Sequence, residues 1–426
     1  MSKTRRPAKG TKPATRKAGT ALAVMPDYYR QFQCIGSDCE DTCCAGWSVE
    51  IDAATWHRYR SSQHEKLAPL FRSAVEELGK TSQTRDKFAR FKIRPDGTCQ
   101  FLEADRLCMI QRELGGDALS DTCALYPRQR NEYCDRLEYG LALSCPEAAR
   151  LALLHPEPIR MIRTEPDAQF SGRDAVNYRV IADAAGNPGL ASLLDDYRKT
   201  ILDILQCRKL SSGARVMVLG CLLDEAGRVG RWDGEFARLL ASFRGLFADP
   251  ASVEAQYEQI PSELPRRLQV ITGFLANYIE SSRPRLTECM LAAIDDWMGG
   301  GAPGDNVVTR YLHAYENYYL PYMREKGYIL ENYLVTCTNL NLFPFARGNP
   351  FELYRELVCN LAIIQVILVG MAGHYKGLTD DKVIQLIQSF VRMTAHHTDY
   401  LSKLNSDIGI SNASSFADVM WMLKER

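Results

Sequence analysis

Charge of either sign in excess is the first thing this 426-residue chain lacks: 52 Lys and Arg stand against 52 Asp and Glu. That balance argues against a protein-wide electrostatic footprint for nucleic acid. Histidine is scarce, with seven residues, and only His57 and His64 lie near a run of cysteines. No export signal is visible, because the basic start is followed only by ALAV, far shorter than the apolar segment such a signal needs. Long hydrophobic runs are few. The longest, LVCNLAIIQVILVGMAG from Leu357, has 17 residues and carries Asn360 and Gln365, so it reads as a buried helix rather than a membrane span. A cytoplasmic protein without a membrane span is expected. Also missing are a repeat of fixed period and the Gly-rich strand-to-helix fingerprint of a doubly wound nucleotide-binding fold; GRVGRWDG from Gly227 is a lone glycine pair after a helix.

What is present divides the chain. Hydrophobic residues make up 46%, enough for a sizeable core in one large domain or two. The first 25 residues, MSKTRRPAKGTKPATRKAGTALAVM, carry Lys and Arg but no acid and read as a disordered, solubilising tail. Residues 26–150 form a Cys-rich region of short elements. Within it, SVEIDAATWHRYR runs from an extended stretch into a helix that Asp52 can cap, and HEKLAPLFRSAVEELGK reads as a helix ending near Gly79. The Gly-, Pro- and Cys-rich run from Phe91 to Cys145 has little core of its own and asks for a staple, which a metal site supplies.

From 151 to 426 the pattern is helix after helix. PGLASLLDDYRKTILDILQ sets Leu190, Leu193, Leu194, Tyr197, Ile201, Ile204 and Leu205 on one face. Strand-like alternation is scarce. The expected fold is mainly α, a Cys-rich, metal-stapled N-terminal region packed on an all-α helical body.

Of 14 cysteines, nine fall between Cys34 and Cys145, spaced C-x4-C-x3-C-C, then C-x8-C-x14-C-x10-C-x10-C after a gap of 54 residues. In a reducing cytosol such crowding points to metal or redox chemistry rather than disulfides. Soft thiolates select zinc or an iron–sulfur cluster. Irregular, all-sulfur spacing leans towards iron–sulfur, and zinc that merely holds a loop-rich region together is the structural alternative. Cys134, in the charged stretch NEYCDRLE, is the first choice for a bystander.

Four ordered blocks, CIGSDCEDTCCAGWSVEID, CQFLEADRLCMIQRELG, DTCALYPRQ and LSCPEAARL, resemble the bacterial flagellin lysine-N-methylase family. The resemblance implies transfer of methyl groups from S-adenosylmethionine to lysine side chains of flagellin, with a 4Fe–4S cluster held by cysteines. Carried over, the candidate ligands are Cys34, Cys39, Cys43, Cys44, Cys99, Cys108, Cys123 and Cys145. Trp47 and Arg128 in the same blocks are candidates for binding the cofactor. A lysine is protonated at neutral pH and reacts only as the free amine, so a base is wanted, and Asp121, Tyr126 and Glu147 are the candidates inside the blocks. The C-x3-C-x2-C triplet of ordinary radical S-adenosylmethionine enzymes is absent: Cys39 and Cys43 fit its first two places and Gly46 occupies the third. The aromatic run Tyr311, Tyr315, Tyr318, Tyr319 and Tyr322 reads as helix packing before a lysine channel. The rival to an enzyme is a non-enzymatic, zinc-stapled module whose helices bind another protein.

Overall fold

The computed structural model describes residues 22–173, 175–180, 188–280, 282–299, 306–345, 349–396 and 415–426. Most of the basic tail, residues 1–21, lies outside the described residues. Its expected end at residue 25 is corrected, because strand β1, Ala23–Pro26, is buried along its whole length. Strands β2 (Glu50–Ile51), β3 (Val75–Glu77), β4 (Ala89–Phe91), β5 (Arg128–Tyr133), β6 (Arg136–Leu141), β7 (Met161–Thr164) and β8 (Arg179–Val180) follow. They make a five-stranded sheet in the order β7-β1-β6-β5-β8 and a three-stranded sheet in the order β2-β4-β3.

The larger sheet runs across residue 150, since β1 pairs with both β6 and β7. The purely helical part therefore begins at Pro188 rather than at 151. Most of these strands are two to four residues long, too short for a period of two to show. The helix expected to reach Gly79 stops at Ala74 for a tertiary reason: Val75 turns out to pair with Phe91 on β4. The Asp52 cap forms, its Oδ1 accepting from the Thr55 amide at 2.8 Å.

The Cys-rich region also has an apolar core that its composition hides. Ile51, Tyr59, Phe71, Phe91 and Phe101 bury together, with the Tyr59 and Phe71 rings stacked at 4.1 Å between centroids. Phe91 and Phe101, in the stretch expected to have little core of its own, are buried by joining residues outside it. Cys99 is part of this core, and Cys44, Cys108 and Cys123 pack against it.

Beyond Pro188 the described residues form helices, and the expected Pro188–Leu205 helix is among them. Several start as their sequences ask, with the side chains of Ser211, Asp249, Asn306 and Asn349 each accepting a hydrogen bond from a first-turn amide. The long apolar helix Pro350–Tyr375 runs through the middle of the main core. It is long and apolar enough to cross a membrane, but 94% of its most apolar window is buried inside the protein. Of its two polar interruptions, Gln365 accepts from Arg267 at 2.9 Å. Three tyrosines of the run are core, as the packing reading expects: Tyr311 is buried ahead of a π-helical turn, Tyr315–Tyr319, whose Tyr315 and Tyr319 are buried, while Tyr318 and Tyr322 are half-buried against the core.

Candidate active site

The loop that carries Cys39, Cys43 and Cys44 lies where the Cys-rich region touches the helical body. The Cys99 amide donates to the Cys44 carbonyl at 2.8 Å, and the Gly46 amide to the Gly97 carbonyl at 2.8 Å. These bonds lay the 39–46 loop beside the turn that carries Cys99. Cys108 precedes the helix Met109–Leu114, Cys145 precedes Pro146–Leu153, and Cys123 lies in the first turn of Asp121–Leu125, capped by Ser120. A sulfur placed at a helix start sits at the end that favours negative charge.

The thiols act on one another. The Cys44 thiol donates to the Cys43 sulfur and holds Cys43 down to about 7, with the Arg392 guanidinium helping and burial opposing. Cys44 is pushed up by the same bond and by burial. Burial raises Cys39, Cys108 and Cys123, lifts Cys99 to about 11 and lifts Cys145 to about 12. The charge of Cys43 adds a smaller upward push on each of those five. Cys34 is exposed. Cys134 stands apart, in the two-residue turn between β5 and β6 with a φ of 53°. Among the described residues no three His, Cys, Asp or Glu side chains are grouped as a single metal ion would require. The sulfurs that influence one another gather around Cys43 without closing into such a group.

A cleft of about 1100 Å³ opens at Gly46 and Trp47, next in sequence to the thiol loop, and none of the candidate thiols lines it. Trp47, Asp121, Tyr126, Arg128 and Ser144 line one side, and Tyr333, Cys337, Asn360 and Val391 of the helical body line the other. The Trp47 indole donates to the Cys43 carbonyl at 2.8 Å and lies 6.0 Å from the Tyr126 ring. The Tyr126 hydroxyl is 3.0 Å from Ser144 Oγ. Burial holds that hydroxyl well above the ordinary tyrosine range, and the neighbouring charge of Cys145 adds to it. Tyr126 is therefore a neutral hydrogen-bonding group at physiological pH.

The other expected site residues separate. Asp121 faces the cleft but accepts from Arg173 at 2.7 Å. Arg128 faces it too, 3.5 Å from Asp167. Glu147 is tied to Arg150 at 2.8 Å and is not among the lining residues. Sequence reasoning missed Asp41, Ser144, Arg283, Gln388 and Arg392, which join the thiol loop to the helical body. Asn360 was visible as a polar break in an apolar run, and the structure places it on the cleft wall.

A thiol-rich N-terminal region closed by a helical body, with a cleft at the seam, is the class of protein that this arrangement defines. A family model described as the FliB lysine N-methylase C-terminal domain matches residues 198–422, and the chain belongs to that family. It is 31% identical over 137 residues to a lysine-N-methylase of Salmonella typhimurium (strain LT2), covering 32% of this chain and 33% of that protein. The flagellar biosynthetic protein FliU of Salmonella muenchen is also 31% identical over 137 residues, which is 79% of its length. The match thus spans about a third of the lysine-N-methylase. No solved structure matches.

Proposed function

We propose that this chain methylates lysine side chains of flagellin in the cytoplasm, taking the methyl group from S-adenosylmethionine in the cleft beside the thiols. The observation that carries the reading is the shared wall: Trp47, Tyr126 and Ser144 line the cleft and also border Cys43 and Cys145. Cys39, Cys43, Cys44, Cys99, Cys108, Cys123 and Cys145 are the thiols from which the ligands of a 4Fe–4S cluster would come. When bound, such a cluster supplies electron transfer or an iron position open to a small ligand.

The protein's own residues have definable work in this reading. A lysine entering the cleft leaves bulk water, which lowers the cost of its neutral, nucleophilic form. Asp121 is the cleft carboxylate that can accept a hydrogen bond from the amine, its charge already shared with Arg173. Tyr126, held neutral, can orient a substrate atom by hydrogen bonding without becoming charged. The aromatic faces of Trp47 and Tyr126 suit the aliphatic stem and cationic head of lysine.

One observation favours a second reading, a zinc-stapled interaction module: Cys44, Cys99, Cys108 and Cys123 pack on an apolar core as structural cysteines do. The deciding measurement is iron, acid-labile sulfide and zinc per chain on protein purified without oxygen, followed by mass spectrometry of flagellin incubated with S-adenosylmethionine. Iron, sulfide and added methyl mass on flagellin lysines support the enzyme. Zinc without sulfide, and unmodified flagellin, support the module.

A further inference from the structure

We propose that Arg392 and Arg283 are positioning residues of the thiol centre, fixing the Asp41–Gly46 loop from the helical body and offsetting the negative charge of the group its sulfurs hold. The proposal rests on the reading of these cysteines as ligands.

The contacts concentrate on one short loop. Arg392, on the helix Asp380–His396, bonds the carbonyls of Asp41, Thr42 and Ala45 at 3.2, 2.8 and 2.6 Å and pairs with the Asp41 carboxylate at 2.9 Å. Arg283, which precedes the helix Pro284–Met298, reaches the Ala45 carbonyl at 2.7 Å and the Asp41 carboxylate at 3.1 Å. Gln388, fully buried, adds bonds to Asp41 at 2.9 Å and to the Ser144 carbonyl at 2.8 Å. It thereby ties the Cys39–Cys44 loop to the segment that carries Cys145.

Two physical consequences follow. A trans peptide points its C=O and N–H in opposite directions, so holding the Thr42 carbonyl on Arg392 turns the Cys43 amide the other way. That amide lies within hydrogen-bonding reach of the Cys43 sulfur. Amides aimed at a ligating sulfur steady it and set its electron density. The charges also do not cancel. Two guanidiniums meet one buried carboxylate, leaving net positive charge beside sulfurs that would carry the opposite sign as ligands of a cluster. In a poorly solvated place that attraction counts for far more than it would in water.

The test uses the full chain, reconstituted with iron and sulfide without oxygen, as the parent and as Arg392→Gln, Arg392→Lys and Arg283→Gln. Arg392→Gln should retain iron about tenfold less tightly. It should lower the midpoint potential of the cluster that remains, because removing a nearby positive charge disfavours the more negative, reduced state. In metal-free protein its loop should open more often, so that N-ethylmaleimide modifies Cys39 and Cys44 about fivefold faster. Arg392→Lys keeps the charge and reaches fewer carbonyls, so its potential should return towards the parent's while its alkylation stays fast. Arg283→Gln, at a less buried position, guards against simple misfolding of the Arg392 variants and should show the same changes at smaller amplitude. Arg392→Gln with parental iron content, potential and alkylation rate overturns the proposal. A parent that takes up no cluster overturns the ligand reading instead, and the alkylation rates then judge the positioning role alone.

Discussion

Gly46 and Arg283 are fitted to each other: a Cβ added to Gly46 would stand 2.3 Å from the Arg283 Nη1 atom. Gly46 also has a φ of 78°, in the left-handed region where a side chain is strained. Gly46→Ala should therefore displace Arg283 from the Ala45 carbonyl and destabilise the protein by about 1–3 kcal/mol. Urea unfolding measures this directly. A midpoint equal to the parent's would show that the loop does not hold this backbone conformation in solution.

Cys43 should be the first thiol of its group to react. The Cys44 hydrogen bond and Arg392 hold it down to about 7. The thiolate is the nucleophile, so its fraction, and the iodoacetamide rate on metal-free protein, should climb as pH rises through about 7 and level off above it. Cys99 and Cys145, raised to about 11 and about 12, should stay slow over the same range. Cys44→Ala removes the donor and should move the Cys43 profile to higher pH. Peptide mapping after timed alkylation at several pH values reads both effects, and a profile for Cys43 that rises only above pH 9 would contradict the hydrogen bond.

The helical body depends on one buried acid. The Glu331 side chain is 0% exposed and pairs with Arg208 at 3.0 Å and Arg215 at 2.9 Å. Glu331→Gln leaves Arg215 buried without a counter-charge and should cost about 3–5 kcal/mol. Arg208→Met, at the more exposed end of the same network, should cost about 1 kcal/mol. Comparing their denaturant midpoints separates a buried charge left alone from the loss of a surface pair, and equal losses would argue against that difference in burial.

Legibility in the sequence followed the range of the contacts. Helix Pro188–Leu205 announced itself because Tyr197, Ile201, Ile204 and Leu205 recur at helical spacing and are buried together. The Asp52 cap was readable because an N-cap acts only three residues away. Strand β3 was not, since Val75 extends only because Phe91 lies beside it. The cysteines of the candidate site could be picked out by type, while the residues that hold them could not. Arg392 lies 351 positions from Asp41, and an arginine on an amphipathic helix gives no sign that its head group is buried against a loop. Among the acid–base candidates, residue type alone did not distinguish Glu147, tied to Arg150 and away from the cleft wall, from Tyr126 on it.

Tyr126 offers the sharpest check on the cleft. Its hydroxyl is neutral and 3.0 Å from Ser144 Oγ, and the residue lines the cleft. Tyr126→Phe keeps the ring against Trp47 and removes only the hydroxyl, so stability should fall by no more than about 1.5 kcal/mol. If the hydroxyl orients the reacting group, methyl transfer to flagellin should fall about a hundredfold in kcat with KM nearly unchanged. Ser144→Ala, which leaves the hydroxyl in place without its partner, should give a smaller loss in the same direction. A loss confined to KM would make Tyr126 part of the binding surface, and parental kinetics in both variants would move the chemistry to another part of the cleft.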